Sequence, residues 1–239
     1  MTRARRLAAE ALGTALLLAM VVGSAIMAGR LAGGNAALAL LANALASGAG
    51  LLALLLAFGD ISGAHLNPAV TLSAAWRGTM AWREAAAYTA AQTCGAFAGV
   101  AAAHLMFGAP AFASATLART GGSLWWSEFV ATFGLLAVGM GCAHKRPALA
   151  PFAVAAYIVA GYWFTASSSF ANPALTLARA ATDSVAGIRL GDVTGYIAAQ
   201  LLGALAATAF FGWLHRPAAT SAALAPRDQF CDGQDRHAV

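Results

Sequence analysis

The tripeptide Asn-Pro-Ala occurs twice in the chain, as Asn67-Pro68-Ala69 and as Asn172-Pro173-Ala174. Asparagine is a favoured N-cap because its side-chain oxygen accepts a backbone N–H group of the first helical turn. Proline suits the first helical position, where its missing N–H group costs nothing. Each tripeptide therefore predicts the start of a helix, with an Asn amide group that is held in place and can donate hydrogen bonds.

Both predicted helices follow an apolar segment that already has the length of a membrane span. We expect them over residues 67–76 and 172–182. The first would cover roughly 15 Å at about 1.5 Å per residue, which is about half of a ~30 Å hydrocarbon core. Two such half-helices, at corresponding positions in two halves of a chain, indicate a pathway through a membrane.

The composition places the chain in a bilayer. Of its 239 residues 60% are hydrophobic and 10% charged, and the mean hydropathy is +0.70, whereas soluble domains carry about 25% charged residues. We predict one membrane domain over residues 1–214 and a disordered polar tail over residues 215–239. The net charge of +5 comes from basic residues at segment ends, which indicates membrane topology and excludes nucleic acid as the expected partner.

Six apolar segments of about 20 residues predict spanning helices, over residues 7–29, 36–59, 83–106, 124–143, 148–166 and 192–214. In this arrangement ten of the 14 lysine and arginine residues lie on one side. Cytoplasmic loops are enriched in these residues. We therefore expect a multi-pass protein of the cytoplasmic (inner) membrane with both termini in the cytoplasm.

The chain contains an internal repeat over residues 7–106 and 124–214. Glu10 in the first half matches Glu128 in the second, and the Ala-Ala-Gln sequence that ends at Gln92 matches the one that ends at Gln200. Each half has three spans, so the second half must be inserted upside down relative to the first. The two half-helices then enter from opposite faces, and their N-termini meet near the midplane.

This arrangement predicts a passage for uncharged polar molecules. Non-helical backbone at membrane depth is tolerated where it lines a water-filled cavity, so the segments before the half-helices would offer carbonyl acceptors. Asn67 and Asn172 would offer central donors. Each helix N-terminus carries roughly +0.5 of an elementary charge, and two of them facing each other form a barrier to cations.

Residues 62–71 read Ser-Gly-Ala-His-Leu-Asn-Pro-Ala-Val-Thr. Together with the second Asn-Pro-Ala, the paired glutamates and the repeated Ala-Ala-Gln, this sequence resembles the major intrinsic protein family, the aquaporins and aquaglyceroporins, over about residues 7–214. The resemblance implies an all-α membrane fold with six transmembrane helices in a right-handed bundle and two re-entrant half-helices. It also implies a homotetramer with one passive pore per subunit for small neutral solutes such as water and glycerol.

One departure from the family pattern concerns the selectivity filter. The family's second motif continues with an arginine that lines the filter, and this chain has Leu175 there. Counted without gaps, the other filter positions fall on Ser47, Ala160 (or Gly161 if the register shifts by one) and Ser169. In water-selective members the first two are typically aromatic and histidine. The resemblance therefore implies a wider filter that admits solutes larger than water, similar to channels for metalloid hydroxides or arsenicals.

Four charged or polar side chains near these loops have two interpretations each. Arg179, one turn beyond Leu175, is either a positive group at the outer mouth or an interfacial anchor. Glu10 and Glu128 lie inside predicted spans, where acidic residues are candidates for function such as proton coupling. Their symmetric placement favours a structural role as acceptors for loop N–H groups. His65 either fixes the turn of the first loop or binds a metal, and we expect the first role.

The sequence favours no metal, cofactor or enzymatic site. Its histidines, cysteines and acids show no metal-ligand spacing, and no nucleophile–base pattern is present. The alternative to a passive channel is an ion-coupled secondary transporter, since such proteins are also built from inverted repeats with broken helices. That function requires coupling-ion ligands at the midplane.

Overall fold

The computed structural model describes residues 1–215. This part contains eight α-helices, six long and two short: α1 (Arg3–Leu31), α2 (Ala36–Ser62), α3 (Pro68–Trp76), α4 (Trp82–Met106), α5 (Gly122–Lys145), α6 (Ala150–Phe164), α7 (Pro173–Ala178) and α8 (Val193–Leu214). Three 3₁₀ turns lie at Pro147–Leu149, Arg179–Ala181 and Leu190–Asp192. The all-α prediction with two half-helices is confirmed, while the predicted tail lies outside the described residues except for its first residue, His215.

Five of the six long segments are long and apolar enough to cross a membrane: Arg3–Leu31, Ala36–Ser62, Gly122–Lys145, Pro147–Phe164 and Leu190–Leu214. Helix α4 has sufficient length, at 25 residues, but it is less apolar because it carries polar side chains such as Thr89, Gln92 and Thr93. Its glycines pack directly on the backbone of α1, so lipid is not its main contact.

The two halves use the same helix pairing, α1 with α4 and α5 with α8. A Cβ atom on Gly95 of α4 would overlap the carbonyl oxygen of Ala11, and one on Gly203 of α8 would overlap that of Phe129. Close backbone approach through small residues is a main source of helix association in lipid. The repeated glycine therefore sets the same short interhelical distance in each half.

The loops before the half-helices share an unusual backbone. Left-handed φ angles occur in the same order in both, at Gly63, Ala64 and Leu66 in the first loop and at Ser168, Ser169 and Ala171 in the second. Helix α2 continues to Ser62 before Gly63 caps it, and α7 ends at Ala178. The extended segment before α3 is therefore shorter than predicted, and the second half-helix ends earlier.

The shared loop backbone predicts opposite effects for two substitutions. Ser168 has φ +61° where the first loop has Gly63 with φ +86°, and a non-glycine residue is disfavoured in this region. We expect Ser168→Gly to stabilise the protein by about 0.5–1 kcal/mol and Gly63→Ala to destabilise it by a similar amount. Thermal unfolding of the purified protein in detergent measures both, and shifts of the same sign would contradict the equivalence of the two loops.

Basic residues collect at one end of the bundle. Arg3 and Arg6 contact Glu84 at the start of α4, and His144 at the end of α5 stacks on His215 after α8, with ring centroids 4.3 Å apart. Trp76 and Arg77, a few residues before α4, share a pocket wall with His215. The start of α1 and the ends of α5 and α8 therefore lie on one side, which we call the basic side, as the predicted topology requires.

The opposite end is covered by two segments, residues 107–121 and 179–192, which are hydrogen-bonded to each other. Ala113 N–H donates to the Ala181 carbonyl at 3.0 Å, and Arg189 N–H donates to the Leu117 carbonyl at 2.8 Å. The backbone N–H and hydroxyl of Thr116 donate to Asp183 Oδ1 at 3.1 and 2.9 Å, and these bonds lower the pKa of the Asp183 carboxyl. The linker between the halves thus holds the segment that follows α7.

Candidate functional site

The two Asn-Pro-Ala sequences meet at the centre of the bundle. Asn67 Oδ1 accepts Ala69 N–H at 2.8 Å, and Asn172 Oδ1 accepts the N–H groups of Ala174 and Leu175 at 3.1 and 3.3 Å. Pro68 and Pro173 occupy the first helical positions, as predicted. Each Asn oxygen thus caps its own half-helix.

The amide nitrogens of the same asparagines join the two loops. Asn67 Nδ2 donates to the Ala171 carbonyl at 2.8 Å, and Asn172 Nδ2 donates to the Leu66 carbonyl at 2.8 Å. An amide nitrogen carries two N–H bonds, so each side chain keeps one donor beyond this contact. The N-termini of α3 and α7 are therefore adjacent, with their asparagines cross-linked.

A cavity of about 380 Å³ passes this junction. Its wall includes both asparagines and the preceding loop residues 63–66 and 169–171. The wall extends from Arg77 after α3 to Arg179 after α7, and the long helices contribute mainly apolar side chains: Leu17, Val21, Leu51, Leu55, Leu135, Leu136, Val154 and Ile158. The cavity therefore has an apolar surface on one flank and a polar line of loop backbone on the other.

Three of the four predicted filter residues, Ser47, Ser169 and Leu175, line the cavity, and Ala160 does not. Ala160 is exposed on the outer face of α6, so this prediction was wrong. The reason is that gapless counting passes through the non-helical residues 165–171, whose path the sequence does not reveal. The alternative, Gly161, is buried against Ser169, whose Oγ would lie 2.6 Å from an added Cβ atom.

Sequence reasoning missed Tyr162 as a wall residue. Helix α6 presents Val154, Ile158 and Tyr162 to the cavity, which is the four-residue spacing of one helix face. The Tyr162 hydroxyl donates to Ser47 Oγ at 3.0 Å. The four-residue spacing of these side chains could have identified the cavity-facing side of α6 from sequence. This would have required the register of α6 to be fixed from the loop residues of the second repeat.

Arg179 is buried, with 3% exposure, and lines the cavity. Its Nε donates to the Ala186 carbonyl, and its guanidinium carbon lies 3.4 Å from the ring centroid of Phe170. None of the three ion pairs in residues 1–215 involves it. The interpretation of Arg179 as an interfacial anchor was wrong, because the 3₁₀ turn at 179–181 keeps it inside the bundle.

Glu10 is fully buried and accepts four hydrogen bonds. Oε1 accepts Ser62 Oγ at 2.6 Å and His65 N–H at 2.9 Å, and Oε2 accepts Leu66 N–H at 2.7 Å and Gln92 Nε2 at 2.8 Å. The carboxylate therefore fixes the loop whose Leu66 carbonyl receives the Asn172 amide.

Glu128 repeats this arrangement in the second half. Its two oxygens accept the N–H groups of Phe170 and Ala171, each at 2.9 Å, and Oε2 also accepts Gln200 Nε2 at 2.6 Å. Neither glutamate belongs to the cavity wall. Both carboxylates are used as acceptors for loop N–H groups, which supports the structural interpretation.

The two loops carry different rings at one equivalent position, His65 in the first loop and Phe170 in the second. His65 Nδ1 lies 3.1 Å from Thr71 Oγ1, and the ring packs edge-on against Tyr88. Phe170 packs in the same way against Tyr196 and lies beneath Arg179. The first loop thus has a hydrogen-bonding ring where the second has an aromatic support for a cation. Within residues 1–215 no three His, Cys, Asp or Glu side chains are grouped to hold a metal ion.

Comparisons with known proteins agree with this geometry. A family model described as MIP: Major intrinsic protein matches residues 1–151. The chain is 51% identical to "Aquaglyceroporin AqpS" of Rhizobium meliloti (strain 1021) over 214 residues, which cover 90% of this chain and 91% of that protein. It is 30% identical to "Aquaporin Z" of Bradyrhizobium diazoefficiens over 230 residues, covering 88% and 93%.

A solved structure, the aquaglyceroporin from Plasmodium falciparum, is similar in fold. The TM-score is 0.71 at 20% sequence identity, and the match covers 88% of this chain and 96% of that one. The family model covers more than half of the chain, and the relatives match along nearly its full length. The chain therefore belongs to the major intrinsic protein family of membrane channels.

Proposed function

We propose that the protein is a passive channel for small uncharged polar solutes: water, glycerol-sized molecules, and neutral metalloid hydroxides or arsenicals. The observation that carries this proposal is the pair of cross-linked Asn amides on the wall of the central cavity. The name of the relative at 51% identity, an aquaglyceroporin, supports the solute class.

Conduction follows from the distribution of donors and acceptors on the wall. A solute that enters loses water and needs replacement hydrogen bonds, since an unsatisfied polar group costs about 1–3 kcal/mol. The free N–H bonds of Asn67 and Asn172 supply donors at the centre, and the carbonyls of residues 63–66 and 169–171 supply acceptors on either side. An uncharged polar molecule can therefore pass without a large desolvation penalty.

Positive charge at two positions along the cavity opposes the passage of cations. The positive ends of α3 and α7 meet at the asparagines, and each contributes roughly +0.5 of an elementary charge. Arg179 adds a full charge near the outer end, without a carboxylate partner among the described ion pairs. In this proposal Arg179 serves as the positive group of the outer mouth, one turn away from the family's usual position.

Selectivity among neutral solutes is set by Ser47, Ser169, Leu175 and Tyr162. Leu175 replaces a long cation by a shorter apolar side chain, which leaves space and an apolar contact for the carbon or metalloid part of a solute. An ion-coupled transporter would need an accessible coupling group. The cavity wall formed by residues 1–215 contains no carboxylate, and both span glutamates are occupied by loop N–H groups.

We also propose that the chain forms one channel domain, works as a homotetramer in the cytoplasmic membrane, and has both termini in the cytoplasm. The basic side of the bundle supports this orientation. Large apolar side chains on the outer surface of α1 and α2, among them Leu12, Leu16, Leu41, Leu45 and Leu56, are exposed. They provide a surface for lipid or for neighbouring subunits.

The filter assignment is tested by Leu175→Arg. An added guanidinium narrows the cavity at this position, so we expect glycerol permeability to fall about tenfold, an increase of ~1.4 kcal/mol in the barrier, and water permeability to fall less. Light-scattering swelling of reconstituted vesicles with water, glycerol, urea and arsenous acid measures each flux. Leu175→Met is the control because it retains an apolar side chain of similar volume. Equal losses of water and glycerol flux in Leu175→Arg would contradict the wide filter.

A further inference from the structure

A second pocket of about 530 Å³ lies on the basic side, between the ends of α3, α5 and α8. The proposed conduction does not use it. Its wall is formed by Trp76, Arg77, Met140, Thr208, Ala209, Phe211, Gly212, Trp213 and His215. Apolar and aromatic side chains thus surround a concavity that two potential cations, Arg77 and His215, border.

The charged side chains around this pocket are basic. Among residues 1–215 no acidic side chain belongs to its wall, and none of the three ion pairs in this part of the chain includes Arg77. His144 stacks on His215, and Lys145 follows in the last turn of α5. Helix C-termini contribute only roughly −0.5 of an elementary charge each, so the basic side chains dominate the local field. The pocket therefore suits an anion.

The position of the pocket indicates where that anion comes from. Trp76 and Trp213 border it and are 57% and 63% exposed, as expected for tryptophans at the level of lipid headgroups. Phe210 and Leu214 on the same helix end are also exposed, and they extend the apolar surface away from the pocket. A ligand with a phosphate group and acyl chains matches both the basic pocket and the apolar surface beside it.

We propose that this pocket binds the headgroup of an anionic phospholipid, with the Arg77 guanidinium as the main phosphate ligand. Arginine suits this role because its planar group donates two parallel hydrogen bonds to phosphate oxygens. Basic pockets between transmembrane helices on the cytoplasmic side are suited to such headgroups.

The site is coupled to the central cavity through shared residues. Arg77 and Met140 belong to the walls of both the pocket and the cavity. A phosphate in the pocket would draw the Arg77 guanidinium away from the end of the central cavity on the basic side. We therefore expect faster solute flux in phosphatidylglycerol vesicles than in phosphatidylcholine vesicles. This consequence rests on the proposed channel function, whereas lipid binding itself does not.

The binding test uses the purified full chain in detergent, with thermal unfolding recorded as dioleoyl-phosphatidylglycerol is added. We expect the anionic lipid to raise Tm more than phosphatidylcholine does, because a ligand that binds only the folded state stabilises it. Arg77→Gln should weaken the apparent lipid affinity about fivefold, which corresponds to the about 1 kcal/mol of one arginine near an anionic lipid. Arg83→Gln is the matched control, since Arg83 is exposed on the same side and outside the pocket.

Three outcomes would overturn the proposal. Equal stabilisation by phosphatidylcholine would show that only acyl chains are bound. Equal stabilisation by inorganic phosphate would assign the pocket to a soluble anion. Equal losses in Arg77→Gln and Arg83→Gln would indicate a diffuse surface-charge effect. If the lipid binds as expected but vesicles show no solute flux, the channel function fails and the lipid site remains.

Discussion

Replacing Asn172 by leucine is expected to lower both water and glycerol permeability about tenfold or more, since removal of a central donor leaves the solute with an unmade hydrogen bond worth about 1–3 kcal/mol. The substitution also removes the donor to the Leu66 carbonyl and the cap of α7. Swelling of vesicles that contain equal amounts of folded protein is the measurement.

A matched control for the loss of a helix cap is available at Asn35. Its side chain caps α2 by accepting Leu38 N–H at 3.1 Å, in an exposed position outside the cavity. Asn35→Leu should cost about 1 kcal/mol of stability and leave permeability per folded protein unchanged. If Asn172→Leu conducts like the wild type, the solute pathway does not pass the paired asparagines.

Replacing Glu128 by glutamine is expected to destabilise the protein by about 2–4 kcal/mol, because a buried carboxylate that only accepts is replaced by an amide that must also donate. Three donors converge on Glu128: the N–H groups of Phe170 and Ala171 and the Gln200 side chain. The new NH₂ group would face at least one of them. Thermal unfolding and the yield of folded protein in membranes measure the loss.

Glu84→Gln is the control for loss of a carboxylate. Glu84 forms ion pairs with Arg3 and Arg6 near the bundle surface, and such pairs contribute about 0–1 kcal/mol. The Glu128→Gln protein that does fold should transport solute without any response to an imposed pH gradient, as should the wild type. Gradient-dependent uptake in the wild type that Glu128→Gln abolishes would instead support proton coupling and the transporter alternative.

The centre of this fold could be predicted from sequence because its determinants are local and repeated. Asn-Pro-Ala specifies a cap and a first turn within three residues, and its two copies at equivalent places imply two half-helices. The sequence predicts that the paired glutamates contact the loops because they occupy symmetric positions in the two repeats, each with one loop. The structure places both within hydrogen-bonding distance of loop N–H groups.

The wall of the cavity could not be predicted equally well, because it depends on the path of non-helical backbone. Residues 165–171 contain three left-handed φ values, and no propensity rule anticipates Ser168 and Ala171 in that region. A gapless count through this loop places the filter position on Ala160, whereas the residue of α6 that lines the cavity there is Tyr162. For Arg179 the sequence leaves two interpretations open, the outer mouth and an interfacial anchor, and only the structure, in which its exposure is 3%, excludes the anchor.

The reciprocal Asn67–Ala171 and Asn172–Leu66 hydrogen bonds also constrain how the protein is made. During synthesis the chain up to the linker already contains Asn67 and the Leu66 carbonyl, but their partners lie 104 and 106 positions further along. Unpaired polar groups are costly in hydrocarbon. The first re-entrant segment therefore has to stay hydrated or sheltered by the insertion machinery until residue 172 has been translated, and both halves reach their final form in the same late step of biogenesis.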